Sequence, residues 1–175
     1  MKSEVRSPKS KVRSLAFVAL GSNLGDSVAL VQKAVDRLQE CSDEPVVRSS
    51  LWQTLPVDCP PGSPQFVNAV AGLQPREGET PESLLDRLQQ LEREFGRRPK
   101  VVSNEPRPLD LDLLAFGAER RLTARLVLPH PRARLRRFVL APWAEIAPDL
   151  VIPGQSRTVA DLLADLGEPG SVCRL

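Results

Sequence analysis

"PRPLDLDLLAFG", residues 106–117, sets leucines and aspartates at alternate positions, the pattern of a strand whose side chains change face at every step. Leu109, Leu111 and Leu113 then share one face, and Asp110 and Asp112 lie side by side on the other. Two carboxylates that close repel each other unless something positive lies between them. A half-buried strand with a solvated polar face accounts for the alternation alone. A magnesium ion accounts for the charges as well, because it takes one or two carboxylates together with substrate phosphates in an octahedral shell. A nucleoside triphosphate suits such a pair.

Upstream of this strand, Thr80 is placed to cap a helix, Pro81 suits its first position, and Leu84, Leu85, Leu88, Leu91 and Phe95 form one apolar stripe that stops at Gly96. Earlier still, "PVVRSSLWQT" (45–54) and "QFVNAVAGL" (65–73) are rich in β-formers and joined by "LPVDCPPGSP", which predicts a hairpin with a long connection. "SLAFVAL" (14–20) predicts a first strand that "GSNLGD" breaks at once. Val28, Val31, Ala34, Val35 and Leu38 follow at helical spacing behind a cap at Asp26 or Ser27. The order β-α-β-β-α-β predicts an α+β fold, a ferredoxin-like antiparallel sheet with two helices on one face. Residues 118–175 extend it with a short strand near "RLVLPH", helical turns and the amphipathic "TVADLLADLG".

At 175 residues the chain is long enough for one domain with a real core. A formal charge of +2 with 26% charged residues argues against disorder and against a general nucleic-acid binder. The run "LAFVAL" is far too short to span a bilayer and no secretory h-region follows the basic start, so a cytoplasmic protein is expected, with no membrane partner. Cys41, Cys59 and Cys173 form no C-x-x-C pattern and fit neither a disulfide framework nor a zinc site. Residues 1–13 are polar and basic without apolar periodicity, which predicts a mobile arm ahead of a single domain over 14–175. No strong apolar helix face is left over, and a monomer is expected.

The two long connections, 55–64 and 96–106, flank one sheet, and loops of that length in a compact domain are commonly functional. The second carries Arg97, Arg98, Lys100 and Arg107 into the aspartate strand. A further basic cluster, Arg132, Arg134, Arg136 and Arg137, surrounds the only histidine, His130. A polyphosphate calls for such a collection, because magnesium neutralises only part of its charge. Phe66 and Asn68 share a strand face, and a flat heterocycle uses both: a ring to stack on and an amide to read its donors and acceptors. "GSNLGD" matches neither Gly-rich phosphate fingerprint, so Gly21 and Gly25 are read as conformational, with Ser22 and Asn23 satisfying the turn.

Taken in order and at their spacings, "ALGSNLGD", "FVNAVAGL", "LEREFGR", "PRPLDLDLLAFG", "LPHPR" and "RRFVLAPWAEIAP" resemble the 6-hydroxymethyl-7,8-dihydropterin pyrophosphokinases of folate biosynthesis, over residues 14 to about 153. The resemblance implies transfer of the terminal diphosphate of ATP to a pterin hydroxymethyl group, with AMP released. It implies two magnesium ions on Asp110 and Asp112. A metal lowers the pKa of a bound hydroxyl, and on chemical grounds Asp112 is the expected acceptor of its proton. Arg97, Arg107, Arg125, His130 and Arg136 match positions that contact phosphate or nucleotide, Arg97 and Arg107 among the catalytic set, and Gln89 and Glu92 match helix positions near ATP. Phe66 and Phe138 match rings that sandwich the pterin, and Asn68, Thr54, Pro56 and Val57 match the segment that recognises its polar edge. The sequence departs from the family at Ser103, Asn104 and Glu105, where relatives carry an aromatic or glycine-containing turn. Pro99 also replaces an expected arginine, a role left for Arg98 or Lys100.

Two rivals come from other classes. An RNA-binding module shares the β-α-β-β-α-β order, yet "QFVNAVAGL" offers Phe66 alone where that module carries several aromatics. A regulatory domain that binds a small molecule without turnover does not explain the paired aspartates.

Overall fold

The computed structural model describes residues 14–56, 58–99, 101, 105–167 and 172–175. The expected mobile arm, and Val57, Lys100, Ser103 and Asn104, lie outside the described residues. Among those described, β1 (Ala16–Ser22), α1 (Ser27–Leu38), β2 (Val47–Arg48), β3 (Trp52–Thr54), β4 (Phe66–Leu73), α2 (Pro81–Glu94) and β5 (Asp110–Phe116) follow in turn. Then come a small hairpin of β6 (Arg121–Leu122) and β7 (Val127–Leu128), two helices, α3 (Arg137–Ile146) and α4 (Val159–Asp165), and a last strand, β8 (Val172–Arg174). The main sheet is antiparallel throughout, in the order β5-β1-β4-β3-β8, with β2 also on β4.

Local chemistry sets the helix starts. Asp26 caps α1, its carboxylate accepting from Ala29 N at 3.1 Å. Thr80 and Ser83 exchange bonds in a capping box, Pro81 occupies the first turn of α2, and Gly96 at φ +87° turns the chain away after it. The stretch expected as one strand over 45–54 is two strands. At the break, Ser49 Oγ accepts from Val70 N at 3.0 Å, so a hydroxyl replaces a carbonyl in the ladder and the strand interrupts there.

The sheet has two cores rather than the one expected. Val18, Leu20, Leu111 and Leu113 meet Val31 and Leu38 of α1 and Leu84 and Leu88 of α2 on the first face. On the second, Phe17, Val70 and Leu114 pack beneath Leu140 and Trp143 of α3, with Val159 of α4 beside them. Alternation along β5 holds from Leu109 to Leu113. Leu114 is then an extra residue, since Leu113 faces Val18 and Ala115 faces Phe17. That bulge turns both Leu114 and Ala115 to the α3 side. With α3 and α4 on this face, the described residues leave no broad open sheet surface of the kind the RNA-binding alternative needs.

Candidate active site

The second core covers only part of its sheet face. At the other end the strands open into a cleft of about 460 Å³, with Gly21 of β1, Thr54 of β3, Phe66 and Asn68 of β4, and Asp110 and Asp112 of β5 on its walls. Arg107 from the loop before β5, and Arg132, Arg136 and Phe138 around the start of α3, complete it. Register builds the floor: Asp110 lies opposite Gly21, and Gly21 opposite Asn68. A Cβ on Gly21 would lie 3.2 Å from Asn68 Oδ1, so the glycine leaves the amide its room. Asn68, 6% exposed, donates from Nδ2 to Thr54 Oγ1 at 2.9 Å.

Both long loops are fastened by one residue. Asn23, 2% exposed, accepts at Oδ1 from Arg107 N at 2.9 Å, donates its own N–H to Arg107 O at 3.2 Å, and donates Nδ2 to Pro64 O at 3.4 Å. Its task exceeds the turn-satisfying one expected, because it clamps the segments 58–64 and 105–107 beside the end of β1.

The charges interlock. Asp110 takes Arg97 Nη1 at 2.5 Å and Arg107 Nη2 at 2.8 Å, and Arg97 also bridges to Glu92. Glu92 Oε1 in turn accepts from Leu111 N at 2.7 Å, satisfying the free edge of β5. Burial pushes the Glu92 carboxyl up to about 7, against the pull of the Leu111 N–H and of Arg97. Burial, and then the charge of Asp110, hold the Asp112 carboxyl above its ordinary range, with His130 and Arg136 pulling the other way. The His130 imidazole is lowered by burial, an effect opposed by Asp112, and the backbone N–H of His130 donates to Leu114 O at 2.8 Å on the same β5 edge. Each expected stacking ring carries an arginine: Arg107 lies 5.8 Å from the Phe66 centroid and Arg136 5.5 Å from that of Phe138. The buried Nε of Arg107 has no hydrogen-bond partner among the described residues.

Most of the residues named from sequence thus fall into two groups. Thr54, Phe66, Asn68, Arg107, Asp110, Asp112, Arg136 and Phe138 line one cleft. Glu92, Arg97 and His130 instead lie along the outer edge of β5, joined to it through Leu111 N, Asp110 and Leu114 O. Gln89 is exposed on α2, and Arg125 on the β6–β7 turn pairs with Asp86 of that helix. Pro56 is half-buried, but its neighbours Leu55, Asp58 and Cys59 line the cleft rather than Pro56 itself. Sequence reasoning assigned no role to Gly21 beyond its turn or to Arg132 beyond its cluster. It missed Val172 altogether, since a lone valine near the chain end carries no signal.

The donor set fits magnesium. Among the described residues no three His, Cys, Asp or Glu side chains converge on one point, so an all-protein cage is lacking. Two carboxylates side by side at a cleft, one of them largely buried, suit an ion that takes its remaining ligands from phosphate and water.

An antiparallel α+β scaffold that sets paired carboxylates among arginines, beside a cleft bearing an aromatic ring and a buried amide, defines a phosphotransferase for a nucleotide and a flat acceptor. The family model of 7,8-dihydro-6-hydroxymethylpterin-pyrophosphokinase (HPPK) matches residues 17–148, and the chain belongs to that family. It is 40% identical over 149 residues to the 2-amino-4-hydroxy-6-hydroxymethyldihydropteridine pyrophosphokinase of Pseudomonas aeruginosa, covering 85% of this chain and 89% of that one. To the enzyme of the same name from Synechocystis it is 38% identical over 148 residues, covering 85% and 74%. Among solved structures, Plasmodium falciparum HPPK-DHPS superposes with a TM-score of 0.65 at 12% identity, a likeness of fold, and the match takes in 87% of this chain and 44% of that one. The family consists of ATP-dependent pyrophosphokinases of folate biosynthesis, and this chain is one of them.

Proposed function

We propose that the cleft is where this chain transfers the diphosphoryl group of ATP to 6-hydroxymethyl-7,8-dihydropterin, and that the residues named from sequence divide the work. The observation that carries this assignment is the single cleft lined by Asp110 and Asp112 at one side and by Phe66, Asn68 and Phe138 at the other. Asp110 and Asp112 would hold two magnesium ions, which when bound neutralise phosphate charge and acidify the acceptor hydroxyl. Arg97 and Arg107 grip the triphosphate, and the unpartnered Nε of Arg107 is a donor kept for it. Arg136 and His130 approach the phosphates from the start of α3 and the β5 edge, while Gln89, Glu92 and Arg125 flank the nucleotide along α2. Phe66 and Phe138 stack on the pterin once Arg107 and Arg136 turn to phosphate. Asn68, held by Thr54, reads its polar edge together with the segment at Pro56 and Val57.

In the reaction the pterin hydroxymethyl oxygen bonds to the β-phosphorus, the bond from that phosphorus to the α–β bridging oxygen breaks, and AMP leaves with the electron pair. The hydroxyl proton passes to a carboxylate oxygen of Asp112, whose raised affinity for protons suits that role. Clamping at both ends of the triphosphate decides that the middle phosphorus is attacked. The strand order β5-β1-β4-β3 supports reading the core as ferredoxin-like, with residues 118–175 proposed as its C-terminal extension and 14–175 as one domain. No helix among the described residues is long and apolar enough to cross a membrane. We further take the chain to be a cytoplasmic monomer whose partners are ATP and a reduced pterin.

Incubation with magnesium, ATP and the pterin, followed by chromatography of the nucleotides, tests the assignment. Pterin-dependent AMP is expected. ADP would mean an ordinary kinase, and no turnover would mean that binding alone occurs here.

A further inference from the structure

The C-terminal strand lies outside the stretch that matches the family, which ends at residue 148, yet it reaches the cleft. We propose that β8 is the outer wall of the pterin end and that Val172 sets how large an acceptor ring the cleft admits. The proposal rests on the functional assignment above and adds a specificity residue to it.

Strand register makes the case. Phe66 faces Thr54 across β4 and β3, and Thr54 faces Val172 across β3 and β8. Residues directly opposite in neighbouring antiparallel strands project to the same side, so these three side chains stand in one row, and all three line the cleft. Cys173 alternates to the other side and is exposed. Val172 is therefore the one β8 side chain on the cleft wall. It stands across the three-residue β3 from the ring proposed to stack on the pterin.

The wall is fastened rather than merely adjacent. Glu145 of α3 accepts from Ser50 N at 2.7 Å with one oxygen and pairs with Arg174 Nε at 3.5 Å with the other, joining the approach to β3, the helix and β8. Leu175 N donates to Leu51 O at 2.9 Å beyond the last paired residues. Without β8, β3 would present a free edge, and the cleft would open to water beside Thr54. A β-branched aliphatic side chain is stiff at χ1, so Val172 acts as a fixed limit. The acceptor class that fits such a wall is a bicyclic reduced heterocycle whose apolar edge turns toward β8.

The test compares Val172→Ala, Val172→Phe and Cys173→Ser in steady-state assays of AMP release, with thermal melts to verify folding. Val172→Ala is expected to raise KM for 6-hydroxymethyl-7,8-dihydropterin roughly 5- to 10-fold, with KM for ATP within about twofold. It is also expected to turn over ring-alkylated pterins better than wild type does, which a general loosening would not produce. Val172→Phe is expected to raise pterin KM further and to reject the alkylated analogues, while Cys173→Ser changes neither constant. Unmoved pterin KM in both Val172 variants, or an equal rise in KM for ATP, would overturn the role of the strand alone. Wild-type protein that releases no AMP with the pterin would overturn the functional assignment, and the role of the strand with it.

Discussion

Beneath α3, Phe17, Val70 and Leu114 meet Leu140 and Trp143 out of water, with the Phe17 and Trp143 rings 5.5 Å apart, whereas further along the same strands Gly21, Asn68, Asp110 and Asp112 stand in an open cleft. The two ends share a sheet face and the same three strands, β5, β1 and β4. They differ in residue type and in where α3 begins. Its first turn, with Arg137, Phe138 and Val139, borders the cleft, while Leu140 and Trp143 further along lie over the apolar end. Alternation therefore decides which side chains share a face, but the covering helix decides whether that face becomes core or site.

The largest separation of the two ends is expected from Asp112→Asn set against Trp143→Ala. Asp112→Asn should lower kcat by about 10³-fold, the scale at which removing one precisely placed charged group acts. It should leave the melting temperature equal or higher, because burial and the Asp110 charge already disfavour the wild-type carboxylate. Full recovery of the rate at saturating magnesium would reduce Asp112 to a metal ligand and remove its proton-accepting role. Trp143→Ala, at a residue 0% exposed, should cost about 3–5 kcal/mol in urea unfolding while kcat per folded molecule stays near wild type. A drop in kcat as large as that of Asp112→Asn would erase the distinction between the ends.

A smaller effect, tied to pH, is expected on the edge of β5 that joins them. Glu92 is raised from an unfolded value of 4.5 to about 7. For a group raised on folding, the folded state binds more protons between those values. The contribution of Glu92 is thus complete below pH 4.5 and is lost as pH rises through 7, by about 3 kcal/mol. Urea midpoints of Glu92→Gln should show a flatter profile across that window than wild type. An identical profile would mean that Arg97 keeps the carboxylate ionised throughout.

Much of this arrangement was legible in "PRPLDLDLLAFG", since alternation alone paired Asp110 with Asp112 and set Leu109, Leu111 and Leu113 against the helices. The caps at Asp26 and Thr80 were legible for a similar reason: capping is local chemistry between residues three apart. What escaped was non-local. Nothing near Ser49 announces that its hydroxyl will stand in for a ladder carbonyl, and nothing near Leu114 announces a bulge, because both depend on the partner strand. The second core escaped because α3 is short and its apolar run is interrupted by Pro142, so its pattern reads as helical turns rather than as a lid. Phe66, Asn68 and the arginines were found by residue type, whereas Val172 gains meaning only from two successive strand pairings.

The finest test exchanges one hydrogen for a methyl group at each end. Gly21 and Gly72 both lie in the β1–β4 pairing, Gly21 opposite Asn68 and Gly72 opposite Phe17. A Cβ on Gly21 would meet Asn68 Oδ1 at 3.2 Å, and one on Gly72 would meet Phe17 Cε1 at 3.3 Å. The two intrusions are nearly equal, but the neighbours that must yield differ. Phe17 is locked against Trp143 in a filled core, so Gly72→Ala should destabilise by about 1–2 kcal/mol and leave KM for the pterin unchanged. Asn68 borders open space, so it can move by a few tenths of an ångström at little cost in stability, but its amide then leaves the line set by Thr54. Gly21→Ala should therefore raise KM for the pterin about threefold while its unfolding free energy stays within about 1 kcal/mol of wild type. If the two variants instead lose stability alike and bind the pterin alike, the cleft end is as tightly packed as the core end, and openness is not what separates them.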